Sequence, residues 1–177
     1  MAKKFFSYSF QVSRTKKTGT IFIIFVVVAL IGTLIVYKIN NNTTRVNNLT
    51  YKVAFGVNNF EDKNCDKAYR VNSHQKICGT ICVKSFNKKV NYIEELKKNM
   101  ETNGFDLSDT TTKRISGTNW NYFKTNNSGS VFNYYIADKD NKTYSVEFID
   151  QTSYLTKNEK ENCQNIYNNV LNSLKLN

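Results

Sequence analysis

The sequence predicts an α+β fold: an antiparallel β-sheet flanked by two helices, preceded by one transmembrane helix. Three observations point there. Residues 20–37 form an uncharged apolar run, several later segments alternate apolar and polar residues between turn-forming residues, and two stretches carry apolar residues at helical spacing. The chain has 177 residues, 40% of them hydrophobic and 14% aromatic, enough for one packed domain plus extras. It contains 26 asparagines and no proline, the signature of an AT-rich genome.

The apolar run reads TIFIIFVVVALIGTLIVY. As a helix it is roughly 27 Å long, close to the thickness of a bilayer's hydrocarbon core, and it has no polar stripe. Eighteen residues exceed an ordinary strand. The basic tail at 1–19 holds Lys3, Lys4, Arg14, Lys16 and Lys17 and no acid. The positive-inside rule therefore sets the N-terminus in the cytoplasm and the C-terminal part outside the cell membrane. A cleaved signal peptide is the competing reading, but Tyr37-Lys38-Ile39-Asn40 offers no small-residue cleavage site. The expected organisation is a cytoplasmic basic tail at 1–19, a transmembrane helix at 20–37, a polar spacer at 38–48 and an extracellular α+β domain at 49–177.

Within that domain LTYKVAF (49–55) alternates as a half-buried strand, and a charged irregular stretch follows through Cys65 to Gln75. KICGTICVKSF (76–86) is the second strand, rich in β-formers, with Gly79 against a helix. Residues 91–102 place Ile93, Leu96 and Met100 on one helical face, with Asn91 as the expected cap and Gly104 at the exit. From 110 to 150 four strand segments separated by Asn/Asp/Gly/Ser turns predict an antiparallel meander. Residues 157–175 form the last helix. Thr156 and Glu159 make a capping box there, and Cys163, Ile166, Val170 and Leu174 lie on one face.

Four cysteines in a domain read as extracellular predict disulfides at Cys65, Cys78, Cys82 and Cys163. In a regular strand Cys78 and Cys82 stand roughly 13 Å apart, too far for a bond to each other. Of the two remaining pairings, Cys65–Cys78 with Cys82–Cys163 is preferred on loop length and on the inward face of Cys163. C-x3-C in a strand lacks zinc-site spacing, and the single histidine, His74, reads as a surface residue.

No nucleophile–His–acid arrangement, phosphate loop or dinucleotide fingerprint is present. Asp138-Lys139-Asp140-Asn141 begins like a calcium loop but lacks the following Gly and Glu, so it reads as a β-turn. No cofactor or metal is expected. Trp120, Tyr122 and Tyr134 are the candidate binding aromatics, set against a reading of them as core. Net charge is +11, of which the first 19 residues supply +5. The expected partners are the membrane and either an anionic envelope polymer or a protein, not nucleic acid. The functional expectation is a non-catalytic binding or accessory role at the cell envelope. The alternative is an exported hydrolase with a dispersed site.

The order Gly117-x-x-Trp120, then Tyr134-Tyr135, then Tyr144-x-Val146-x-Phe148, then a closing amphipathic helix with Asn172-Ser173-Leu174, resembles the PsbP/Mog1-like α+β domain family. The resemblance implies a twisted antiparallel sheet with flanking helices and an exported, anchored protein. It supplies no catalytic residues.

Overall fold

The computed structural model describes residues 24–34, 42–53 and 57–177. The chain divides into two units, Met1–Asn41 and Asn42–Asn177. Residues 24–34 of the first are helical (α1), and eight large apolar side chains from Ile24 to Leu34 are exposed. The remainder of the apolar run lies outside the described residues. Among the described residues no helix is long and apolar enough to cross a membrane.

The second unit is an α+β fold of antiparallel sheets. It begins with β1 (Thr43–Val46), β2 (Leu49–Lys52), β3 (Val57–Phe60), β4 (Lys67–Ser73) and β5 (Lys76–Phe86). Then come α2 (Tyr92–Thr102), β6 (Asp106–Leu107), β7 (Thr111–Ile115), β8 (Thr118–Asn127), β9 (Ser130–Lys139) and β10 (Lys142–Asp150). α3 (Lys157–Asn172) and β11 (Lys175–Leu176) close the chain. The large sheet has the order β3-β4-β5-β10-β9-β8-β6, with β7 also paired to β8; β1-β2-β11 form a small second sheet.

Three expectations need correction. The polar spacer at 38–48 is not wholly a spacer, because Thr43–Val46 pair with Leu49–Lys52. The irregular stretch before Gln75 contains β4, in which Tyr69, Val71 and Ser73 are buried at period two. The last helix stops at Asn172, and Lys175–Leu176 instead pair with β2. The four strands of the meander and the turn at Asp140-Asn141, both at positive φ, stand as the sequence predicts.

Each face of the large sheet has its own core. The α3 face joins Ile81, Val83, Trp120, Tyr144, Val146 and Phe148 to Cys163, Tyr167 and Val170 of α3 and to the small sheet. The α2 face joins Met100 to Phe123, Tyr134 and Ile136. α3 contains six asparagines in sixteen residues, a poor intrinsic helix former, so tertiary contacts hold it. Its capping box is made in full: Thr156 accepts from the Glu159 amide, and the Glu159 carboxylate accepts from the Thr156 amide. The expected Asn91 cap of α2 is not made by its side chain. The helix exit at Gly104 is, with Phe105 N donating to Met100 O at 3.1 Å.

All four cysteines are bonded, as Cys65–Cys82 and Cys78–Cys163. The preferred pairing is thus reversed, and the cause is a bulge. Opposite Val71 and Asn72 of β4, the pairing on β5 jumps from Gly79 to Ile77, leaving Cys78 as the extra residue. The bulge turns Cys78 onto the α3 face with Ile81 and Val83, where Cys163 waits. Cys82, in regular alternation, falls on the opposite face. The antiparallel register of β4 and β5 brings the residues before β4 back to it, with Asp66 N donating to Val83 O at 2.9 Å.

Gly79 makes the same bulge possible. Its φ is +147°, and a Cβ there would lie 1.8 Å from Ile149 O and 2.6 Å from Tyr167 Oη. That hydroxyl donates to Ile149 O at 3.1 Å, so β5, β10 and α3 meet where there is no room for a side chain.

Candidate functional site

The three sequence-predicted aromatics do not assemble into a platform. Trp120 is fully buried on the α3 face, and Tyr134 is buried on the opposite face, stacked on Phe123 at 4.9 Å. Tyr122 is half-buried, with its hydroxyl donating to Asn133 Oδ1 at 3.0 Å and the Lys113 ammonium 3.5 Å above its ring. It starts a chain of ring contacts, Tyr122–Tyr135–Phe148–Tyr167, that ties β8 through β10 to α3. Burial pushes the Tyr135 hydroxyl up to about 12, so it stays protonated. These aromatics are core and cross-strand packing.

One acid lies in a setting of chemical interest. Glu147 on β10 accepts from Lys84 Nζ and from the Tyr92 hydroxyl, each at 2.8 Å, and from Ser145 Oγ at 3.4 Å. Lys84 Nζ also donates to the Tyr92 oxygen at 2.9 Å. Burial, then the adjacent carboxylate, raises the Tyr92 pKa. The same Glu147 oxygen takes all three donors. The cluster joins β5 and β10 to the start of α2, with the Glu147 carboxylate accepting from both neighbours.

A different kind of site lies where the β4–β5 hairpin meets α3. A cleft of about 520 Å³ there is lined by Asn72, Ser73, His74 and Gln75 from the hairpin and by Asn162, Asn165, Ile166 and Asn169 from α3. The volume is in the usual range of small-molecule sites, about 300–1,000 Å³. Five of its eight lining side chains are amides, in a chain with 26 asparagines among 177 residues, and none is a carboxylate, lysine or arginine. Asn162, Asn165 and Asn169 fall at helical spacing on one stripe of α3. Asn162 Nδ2 lies 3.3 Å from His74 Nε2, bridging the two walls.

The hairpin turn is strained. His74 and Gln75 have φ of +47° and +68°, and neither is the Gly, Asn or Asp that such a turn favours. Conformations of this kind cost about 1–3 kcal/mol each and persist only where the surroundings enforce them. The Cys78–Cys163 bond cross-links β5 to α3 just beside this turn. Sequence reasoning placed His74 as a surface residue and missed the cleft. The visible signal was the Asn162/Asn165/Asn169 stripe, masked by the abundance of asparagine elsewhere.

No family model matches the chain, and no curated protein matches it in sequence. Among solved structures, the solution structure of the cyanobacterial PsbP (CyanoP) from Synechocystis sp. PCC 6803 is similar to it. The similarity covers 76% of this chain and 91% of that one, with a TM-score of 0.54 and 8% identity. The fold is PsbP-like. A crystal structure from Bacteroides thetaiotaomicron VPI-5482 is similar over 73% of this chain, with a TM-score of 0.47 and 15% identity, and this chain spans 45% of that protein. At such identities the likeness is one of fold, and function rests on the site. On the PsbP-like scaffold both the disulfide Cys78–Cys163 and the amide cleft lie where the β4–β5 hairpin meets α3. Two disulfides mark this domain as one that matures in an oxidising compartment.

Proposed function

We propose that this chain is a single-pass membrane protein that displays its PsbP-like domain outside the cell membrane, where the domain binds without catalysis as an accessory of the envelope. The observation that carries the reading is the bonding of all four cysteines, which a reducing cytosol would not sustain. The anchor is argued from the uncharged run at 20–37, from the basic tail before it and from the exposed apolar side chains of α1. The binding role is argued from the cleft, whose lining offers hydrogen bonds and shape, and whose Ser73 and His74 have no carboxylate beside them in the lining.

External protease on intact cells tests it. Residues 42–177 should be removed, leaving a membrane-protected N-terminal fragment of roughly 40 residues that includes the span. A full-length chain that survives in intact cells and is cut only after lysis contradicts the proposal.

A further inference from the structure

We infer that the cleft between the β4–β5 hairpin and α3 is a binding site for an uncharged polyhydroxylated ligand, a segment of neutral glycan. The inference rests on the accessory-binding reading above and names the ligand class for that site. Glycan hydroxyls both donate and accept, and amides are the side chains that answer with both functions at fixed geometry. The cleft presents Asn72, Gln75, Asn162, Asn165 and Asn169 together with the Ser73 hydroxyl.

Ser73 is the most telling of these. It is only 6% exposed, it lines the cleft, and among the described residues its hydroxyl makes no hydrogen bond. Its oxygen is not among the fully buried unpaired polar atoms, so it keeps access to the cleft and is free to pair with a ligand hydroxyl. Gln75, Asn165 and Asn169 are exposed and make no side-chain hydrogen bonds among the described residues. Ile166 supplies an apolar floor for the C–H face of a sugar ring.

Charge separates this ligand from the anionic polymer that the net charge of +11 suggests. The nearby ion pair, Lys76 with Glu159 at 2.8 Å, is internally neutralised, and no lysine or arginine lines the cleft. An anion entering it would lose hydration without gaining a counter-charge. The walls are also preorganised: the Cys78–Cys163 bond and the Asn162–His74 contact fix hairpin to helix, so little ordering is left for the ligand to impose.

The test is calorimetric titration of the oxidised full-length chain in non-ionic detergent. The uncharged probes are maltotetraose, cellotetraose and tetra-N-acetylchitotetraose; tetragalacturonate and tetraglutamate are the charged ones. The expected result is saturable binding of at least one uncharged tetramer. The Asn165→Ala/Asn169→Ala double variant and Ser73→Ala should each weaken it at least tenfold while melting temperatures stay within a degree or two. The inference is overturned if no uncharged tetramer saturates up to millimolar concentration, if the variants bind unchanged, or if a charged tetramer binds more tightly than every uncharged one. External protease on intact cells reads the parent proposal separately. An accessible domain with no glycan binding overturns the ligand class alone, and glycan binding by a protease-protected domain upholds the cleft while overturning the envelope reading.

Discussion

The two helices lie on opposite faces of one sheet and are held by different means. α3 buries Cys163, Tyr167 and Val170, carries a complete capping box, and is bonded covalently to β5. α2 buries only Met100, lacks a side-chain cap, and reaches the sheet through a four-residue buried cluster and the Lys84–Tyr92–Glu147 contacts. The disulfide on the α2 face, Cys65–Cys82, fastens the loop before β4 and not the helix. The β5–β10–α3 junction therefore organises the domain. It also accounts for the position of the candidate site: a ligand cleft gains most from walls that do not move.

The sharpest way to break the comparison is at Gly79. Gly79→Ala puts a methyl group into Ile149 O, and chemical denaturation should show a loss of at least about 4 kcal/mol or failure to fold. Next come the disulfides. The chain-entropy relation gives about 4.6 kcal/mol for the 85-residue separation and about 3 kcal/mol for the 17-residue one. The Cys78→Ala/Cys163→Ala pair should therefore melt lower than the Cys65→Ala/Cys82→Ala pair; the reverse order would place the organising junction elsewhere. Met100→Ala should cost about 2–3 kcal/mol and raise amide exchange in α2 while leaving α3 protected.

The caps give smaller effects. Thr156→Ala should cost about 1 kcal/mol, whereas Asn91→Ala should be nearly neutral because no cap bond is lost. Glu159 adds a pH signature. Its hydrogen bond with Lys76, then its bonds to Thr156, hold the carboxyl down to about 2 from an ordinary value of 4.5. A depressed pKa means stability that is present above about pH 4.5 and drains away as pH falls toward 2. Glu159→Gln should flatten the melting temperature across that window and leave its slope elsewhere unchanged.

The strand–helix order was largely legible because Asn-, Asp- and Gly-containing turns punctuate β-rich segments from β7 to β10, although β9 and β10 are buried on both faces and do not alternate. β4 was hidden because its inward face, Tyr69, Val71 and Ser73, holds only two large apolar residues and follows the charged run at 61–67. The cysteine pairing was misread because loop length and the inward face of Cys163 were weighed on a regular strand, without the bulge. Strict alternation sets Cys78 and Cys82 on the same face, and one extra residue at the bulge separates them. Gly79 was the clue, since a glycine inside a β-branched strand marks a bulge or a close approach, and at this position it marks both. The cleft could not be read from spacing because its walls, 72–75 and 162–169, are joined only by the long-range register of β4, β5 and α3.

Where the domain resides determines the oxidation state of its cysteines. Cells expressing the full-length chain can be quenched in acid, and free thiols counted by mass-tagged alkylation with and without prior reduction. The account predicts no tags before reduction and four after it, with the Cys78–Cys163 cross-link recovered by peptide mapping. Four tags before reduction would mean reduced cysteines in a cytosolic domain, and would contradict the account.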